Sequence, residues 1–176
     1  MDLKQFVPSS VCLACEGCCR FYDERSPWRP KAGPGENFGA GLRSLDGPPD
    51  GVLDAGSYVM AVPEGERWRC RFLDGPSNTC GIYPGRPFEC RLYPFLLVRH
   101  EGRFLVALHL SCPFAQKYYG TPVLDGYAAY LKDFLSSPSS SGFLRGNRAL
   151  FSDYREARDE WAALFDVEIP GGPDGP

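Results

Sequence analysis

The chain is poor in several features that would have pointed to a familiar function. It has no Ser-His-Asp order, no phosphate-cradling glycine loop and no H-E-x-x-H string, so hydrolase triads, nucleotide-binding loops and zincin chemistry find no support. It has no excess of positive charge. A formal charge of −3 and a pI near 5.4 give no electrostatic reason to expect nucleic acid or an anionic membrane. Long apolar runs are missing too: the longest, Phe95–Val98 and Phe104–Leu108, are far too short to span a bilayer. Met1 to Ser10 lacks a basic segment followed by an apolar one, so no secretory leader is expected. The expected compartment is the cytoplasm, where thiols stay reduced.

Cysteine is what the chain does have. Of eight, four fall within eight positions, Cys12, Cys15, Cys18 and Cys19, reading C-x-x-C-x-x-C-C. Cys70, Cys80, Cys90 and Cys112 follow at wider intervals. Thiols packed this tightly repel one another once ionised and oxidise easily. A cation relieves both problems by binding the thiolate form and lowering its pKa. A disulfide framework is the competing reading of an even count, but the missing leader and the Cys18–Cys19 adjacency argue against it. Eight thiolates would take the net charge from −3 to −11, and two divalent ions would return it only to −7.

The N-terminal four are readable in two geometries. On a helix, at about 100° per residue, they form one stripe about 120° wide. As a loop, C-x-x-C-x-x-C is the wrap that bacterial ferredoxins use for corners of a 4Fe–4S cluster, with a Cys-Pro ligand elsewhere, and Cys112-Pro113 fits that description. Zinc also favours C-x-x-C. One grouping takes Cys12, Cys15, Cys18 and Cys112 as one site and Cys19, Cys70, Cys80 and Cys90 as the other, since adjacent residues on a strand or loop point opposite ways.

Along the chain, 176 residues suit one domain large enough for a real core. Residues 21 to 56 are turn-rich and aperiodic. Tyr58–Val62 is apolar, Pro63 to Glu66 reads as a turn, and Arg67–Leu73 alternates, with Trp68, Cys70 and Phe72 on one face and Arg67, Arg69 and Arg71 on the other. That arginine row reads as a solvated strand face. Pro87–Arg91 suits one helical turn, and Phe95–Arg99 with Phe104–Leu110 suits a hairpin. Thr121 and Pro122 open a helix that runs to Pro138. After a Ser/Gly linker, Leu150, Phe151, Tyr154, Trp161, Leu164 and Phe165 suggest a second helix over 147–165. The tail, 167–176, reads as disordered. The expected fold is α+β: a small antiparallel sheet with cysteine-rich metal-binding loops, then two C-terminal amphipathic helices, as a single domain 1–176.

Four segments together carry a resemblance. They are the C-x-x-C-x-x-C-C string, Cys70-Arg-Phe-Leu, the run CGIYPGRPFECRLYPF from Cys80 to Phe95, and Cys112-Pro. This pattern resembles the YkgJ-type cysteine cluster family, a zinc- or iron-chelating domain. The likeness covers about residues 12 to 113, includes all eight cysteines and the I-Y-x-x-R-P-x-x-C-R-x-Y-P frame, and leaves the C-terminal helices outside. It implies that all eight cysteines are metal ligands. It extends to flagellin lysine methylases, larger proteins whose cluster is linked to an iron–sulfur site and methyl transfer.

Arginines flank the cysteines and would offset thiolate charge. Arg86 and Arg91 are the candidates to hydrogen-bond a cofactor, against the plainer reading that they pin a turn. Tyr83, Phe88, Tyr93 and Phe95 read as an apolar shell around the metal. His100 and His109 are not expected as ligands, because eight cysteines already satisfy two tetrahedral sites. The functional expectation is a metal-binding protein with an iron–sulfur cluster ahead of zinc. The rivals are a structural zinc module that presents a surface to a protein partner, and cluster-dependent methyl or group transfer. No catalytic residue is assigned.

Overall fold

In the computed structural model, residues 3–15, 17–34, 36 and 52–169 are described. The chain divides into two compact units, Pro8–Arg91, and Met1–Val7 with Leu92–Pro176.

The first unit opens with a short helix, α1 (Ser9–Ala14), followed by β1 (Arg20–Phe21), β2 (Ala61–Glu64) and β3 (Arg67–Cys70). These strands form an antiparallel sheet with β3 in the middle. The turn expected over Pro63 to Glu66 is tighter than the sequence suggests. Pro63 and Glu64 belong to β2, and Gly65 takes the positive φ of 61° that the two-residue reversal requires. Next come the two-residue pair β4 (Leu73–Asp74) and β5 (Thr79–Cys80), a 3₁₀ turn at Tyr83–Gly85, and α2 (Phe88–Leu92). Phe21, Val59, Ala61, Cys70, Phe72, Leu73 and Ile82 make the core, with Cys19, Trp28, Trp68 and Cys80 packed against it. Within the turn-rich stretch, residues 35 and 37–51 lie outside the described residues. The described part is tied down by the bridges Lys31–Tyr58 and Leu53–Val59 and by an Arg29–Asp54 ion pair at 2.9 Å.

In the second unit, β6 (Phe95–His100), β7 (Arg103–His109) and β8 (Trp161–Asp166) form an antiparallel sheet with β7 in the centre. Glu101 and Gly102, both at positive φ, close the expected β6–β7 hairpin. α3 (Pro113–Tyr118), α4 (Pro122–Ser136) and α5 (Pro138–Gly146) follow. α4 begins after Thr121 as expected and buries Leu124, Tyr127, Leu131 and Leu135. The Thr121 hydroxyl donates backwards to the Tyr118 carbonyl at 2.7 Å, however, so it does not cap the helix. Phe6 packs edge-on against Phe95 and Phe114 at 5.4 Å each, which ties the first residues to this unit.

The mixed architecture, with small antiparallel sheets and helices toward the C-terminus, is the expected one, but the second amphipathic helix is displaced. It is α5, in the segment read as a linker, and it is capped by the Ser137 hydroxyl, which accepts the Ser140 N–H. Residues 147–165 form two 3₁₀ turns and then β8. β7 is buried along almost its whole length and needs a hydrogen-bonding neighbour on each edge. Pairing of Trp161 with His109 and Phe165 with Val106 supplies the second one and overrides the helical spacing. Ile169 is buried and the Val167 N–H donates to the Phe104 carbonyl at 2.8 Å, so the expected disordered tail is ordered through 169. Residues 170–176 lie outside the described residues. Among the described residues no helix is long and apolar enough to cross a membrane.

Candidate metal centre

The N-terminal cysteines are neither a pure helical stripe nor a pure loop. Cys12 lies in α1. At Cys15 the backbone turns extended (φ −91°, ψ 136°) and the helix stops. The Gly17 N–H then donates to the Cys15 sulfur at 3.4 Å. The following turn delivers Cys18 and Cys19 just ahead of β1.

Cys18 and Cys19 do not point apart, as their adjacency had suggested: their sulfurs are 4.0 Å from each other. The chain leaves a turn here, so the alternation of a strand does not apply. Cys18 also hydrogen-bonds Cys12, so three sulfurs form one chain. Thiols in contact share protons. The hydrogen bond from Cys18 is the main reason the Cys12 thiol falls to about 6, with the Arg86 charge and the Tyr83 hydroxyl helping against burial. The separate contact between Cys18 and Cys19 lowers Cys19 against its burial, and the charges of Arg20 and Arg86 add to it. Cys18, which keeps the proton between them, is pushed well up by both bonds and by burial. This contact runs against separate groups for Cys18 and Cys19.

Strand registers bring in the downstream cysteines. The Cys70 N–H donates to the Cys19 carbonyl at 2.8 Å, which sets these residues side by side at the end of β3. Cys80 pairs with Leu73 across β4–β5, and the Gly81 N–H donates to the Phe72 carbonyl at 2.8 Å. Cys90 rides on α2. Burial raises all three thiols, and the negative charge of Cys19 raises each further. Cys12, Cys18, Cys19, Cys70, Cys80 and Cys90 thus share one neighbourhood despite the long gap between Cys19 and Cys70.

A cation is built into that neighbourhood. Pro84 sits inside the 3₁₀ turn Tyr83–Gly85, and Pro87 follows Arg86, which is held extended (φ −64°, ψ 153°). Residues three apart eclipse on a 3₁₀ turn. Here the Arg86 guanidinium lies 3.8 Å over the Tyr83 ring. Arg86 is 8% exposed, and its charge acts on Cys12, Cys19 and Cys80. The other arginines nearby direct their donors elsewhere, although the charge of Arg20 also acts on Cys19. Arg20 reaches Glu64 at 2.7 Å and Asn78 at 2.6 Å. Arg69 reaches the Leu73 carbonyl and Glu64, and Arg67 lies over the exposed Tyr22 ring. The arginine row is thus in part a network of pins as well as a solvated face. Arg91 lies 5.8 Å from the Phe88 ring centre.

Two contributors were not evident from sequence. The Tyr83 hydroxyl reaches Cys12, although the ring had read only as part of an apolar shell. Glu89, beside Cys90, accepts the Lys31 N–H at 2.5 Å, and burial pushes its carboxyl up to about 8.

Cys112 belongs to the second unit, where it is buried at the N-cap position of α3 with Pro113 at the first helical position. His109, also buried, meets the Tyr93 hydroxyl through Nδ1 at 3.1 Å and Glu160 through Nε2 at 3.7 Å. His100 packs edge-on against Trp161 at 5.6 Å. None of the eight cysteines is in a disulfide. Among the described residues no three His, Cys, Asp or Glu side chains are already closed around one point as an ion requires. Three of the sulfurs, those of Cys12, Cys18 and Cys19, are joined by hydrogen bonds instead, and binding a metal there means displacing those protons. In kind the donors suit a thiophilic metal: six sulfurs, apolar walls and an internal cation.

A family model named CxxCxxCC, described as a putative zinc- or iron-chelating domain, matches residues 11–113. No curated protein and no solved structure matches the chain.

Proposed function

Because the chain belongs to the CxxCxxCC family, we propose that it is a metal-binding protein whose cysteines hold an iron–sulfur cluster. The observation that supports this reading is the gathering of six cysteines that act on one another, three of which, Cys12, Cys19 and Cys80, also feel the charge of the buried Arg86 guanidinium. Six sulfurs exceed the four that one tetrahedral ion or one all-cysteine cluster takes, and the C-x-x-C-x-x-C wrap with Cys112-Pro113 is what favours the cluster. Cys12, Cys18, Cys19, Cys70, Cys80 and Cys90 are its nearest ligand set. The ligand roles of Cys15 and Cys112 rest on the sequence pattern.

Zinc is the second reading, and one distance favours it. Sulfurs sharing a tetrahedral zinc lie about 3.7–4 Å apart, since each bond is about 2.3 Å. Cys18 and Cys19 are at 4.0 Å. Purification without oxygen, with iron, zinc and acid-labile sulfide analysis, separates the two. A brown protein with broad absorption near about 400 nm from thiolate-to-iron charge transfer is expected. A colourless protein holding stoichiometric zinc and no iron would overturn the iron–sulfur reading.

A further inference from the structure

Arg86 is oddly placed for a residue that only pins a turn. Its Nε and Nη1 are buried and meet no hydrogen-bond acceptor among the described residues. Arginines that do pin this unit use their donors on protein oxygens: Arg20 on Glu64 and Asn78, and Arg29 on the Ser26 carbonyl and Asp54. A guanidinium cannot shed its proton to escape burial. Donors held in this way call for an acceptor that the described residues do not supply. Sulfur is the nearby candidate, because the charge of Arg86 already acts on Cys12, Cys19 and Cys80.

Resting on the metal-binding reading above, we propose that Tyr83 and Arg86 form a clamp on the sulfur ligands of the bound metal. Tyr83 fixes Cys12 through its hydroxyl, and Arg86, carried on the Tyr83 ring, offers Nε and Nη1 to the anionic sulfurs of the loaded site. Those acceptors are thiolate sulfurs in a zinc site and thiolate or inorganic sulfide in a cluster, and both are anionic sulfur. Pro84 and Pro87 hold the pair in place on either side. Both are positioning residues, acting on the metal through the sulfurs.

The test uses the full chain loaded with zinc, or with ferrous iron and sulfide, and challenged with a competing chelator. Arg86→Gln should weaken retention roughly ten- to a hundredfold, Arg86→Lys less, and Tyr83→Phe less again. Retention in the Tyr83→Phe/Arg86→Gln double variant should fall short of the product of the single effects, as contacting residues require. The metal-free proteins give the readout that a pin would move. Arg86→Gln should shift the metal-free melting point far less than the metal-loaded one, because in the metal-free protein Nε and Nη1 are unused among the described residues. Arg86→Gln with full retention, or with a lower metal-free melting point and unchanged retention, would overturn the clamp alone. A parent protein that takes up neither metal would overturn the metal reading beneath it. The acid-labile sulfide content of the loaded protein tells the two sulfur sources apart.

Discussion

Cys70 offers the sharpest separation of a ligand from an ordinary core thiol. It is 8% exposed and packs with Phe72, Val59 and Ile82. A buried thiol in such surroundings behaves as a small hydrophobe, whether or not it binds metal. Cys70→Ala deletes one sulfur, so packing alone should cost about 1–2 kcal/mol, by comparison with other single-group core deletions. That loss is the same with or without metal. If Cys70 is a ligand, the metal-loaded protein loses a further increment. With free metal at about 1,000 times the dissociation constant, binding stabilises the folded state by about 4 kcal/mol, and most of this should vanish in the variant. The assay is chemical denaturation of parent and variant, each with and without metal, at fixed free metal concentration. Equal losses in the two states would refute ligation by Cys70 and leave it a core residue.

In the metal-free protein, Cys12, lowered to about 6, should be about nine-tenths thiolate at pH 7, against about one-hundredth for an unperturbed thiol. Its alkylation rate should therefore level off above about pH 7, and a rate still rising through pH 9 would show that the Cys18 bond is absent. Glu89, raised to about 8 from 4.5, stays protonated in the fold while the unfolded chain ionises. Stability should therefore fall as pH rises from about 5 to 8. Glu89→Gln, measured by denaturation across that range, should flatten the fall, and an unchanged slope would refute it. Arg91→Ala should weaken metal retention in a chelator assay about tenfold. His109→Ala should leave metal content unchanged, and metal lost on that substitution would make His109 a ligand.

The sequence signalled most clearly those parts that close locally. The alternation through Trp68 and Cys70 marked β3, which stops at Cys70, short of the expected Leu73. Glu101 and Gly102 marked the β6–β7 reversal, and Thr121-Pro122 with Leu124, Tyr127 and Leu131 marked α4. β8 was hidden because its reason lies far away in sequence, along the edge of β7. α5 was hidden because serine and glycine are weak helix formers, and burial of Leu144 with the Ser137 cap supports it instead. At the centre, cysteine spacing announced metal chemistry, while the convergence of Cys70 and Cys80 depends on strand registers and that of Cys90 on α2. The joint orientation of Cys18 and Cys19 depends on a turn that spacing does not encode. The Tyr83 hydroxyl escaped notice because aromatic residues near cysteines read equally well as packing.

X-ray absorption at the metal edge of the protein purified without oxygen tests the central claim most directly, because it reports the atoms bonded to the metal. A first shell of sulfur alone at about 2.3 Å is the predicted result, as all-cysteine ligation requires. A first shell dominated by nitrogen or oxygen would contradict it, since six gathered cysteines would then not be what holds the metal.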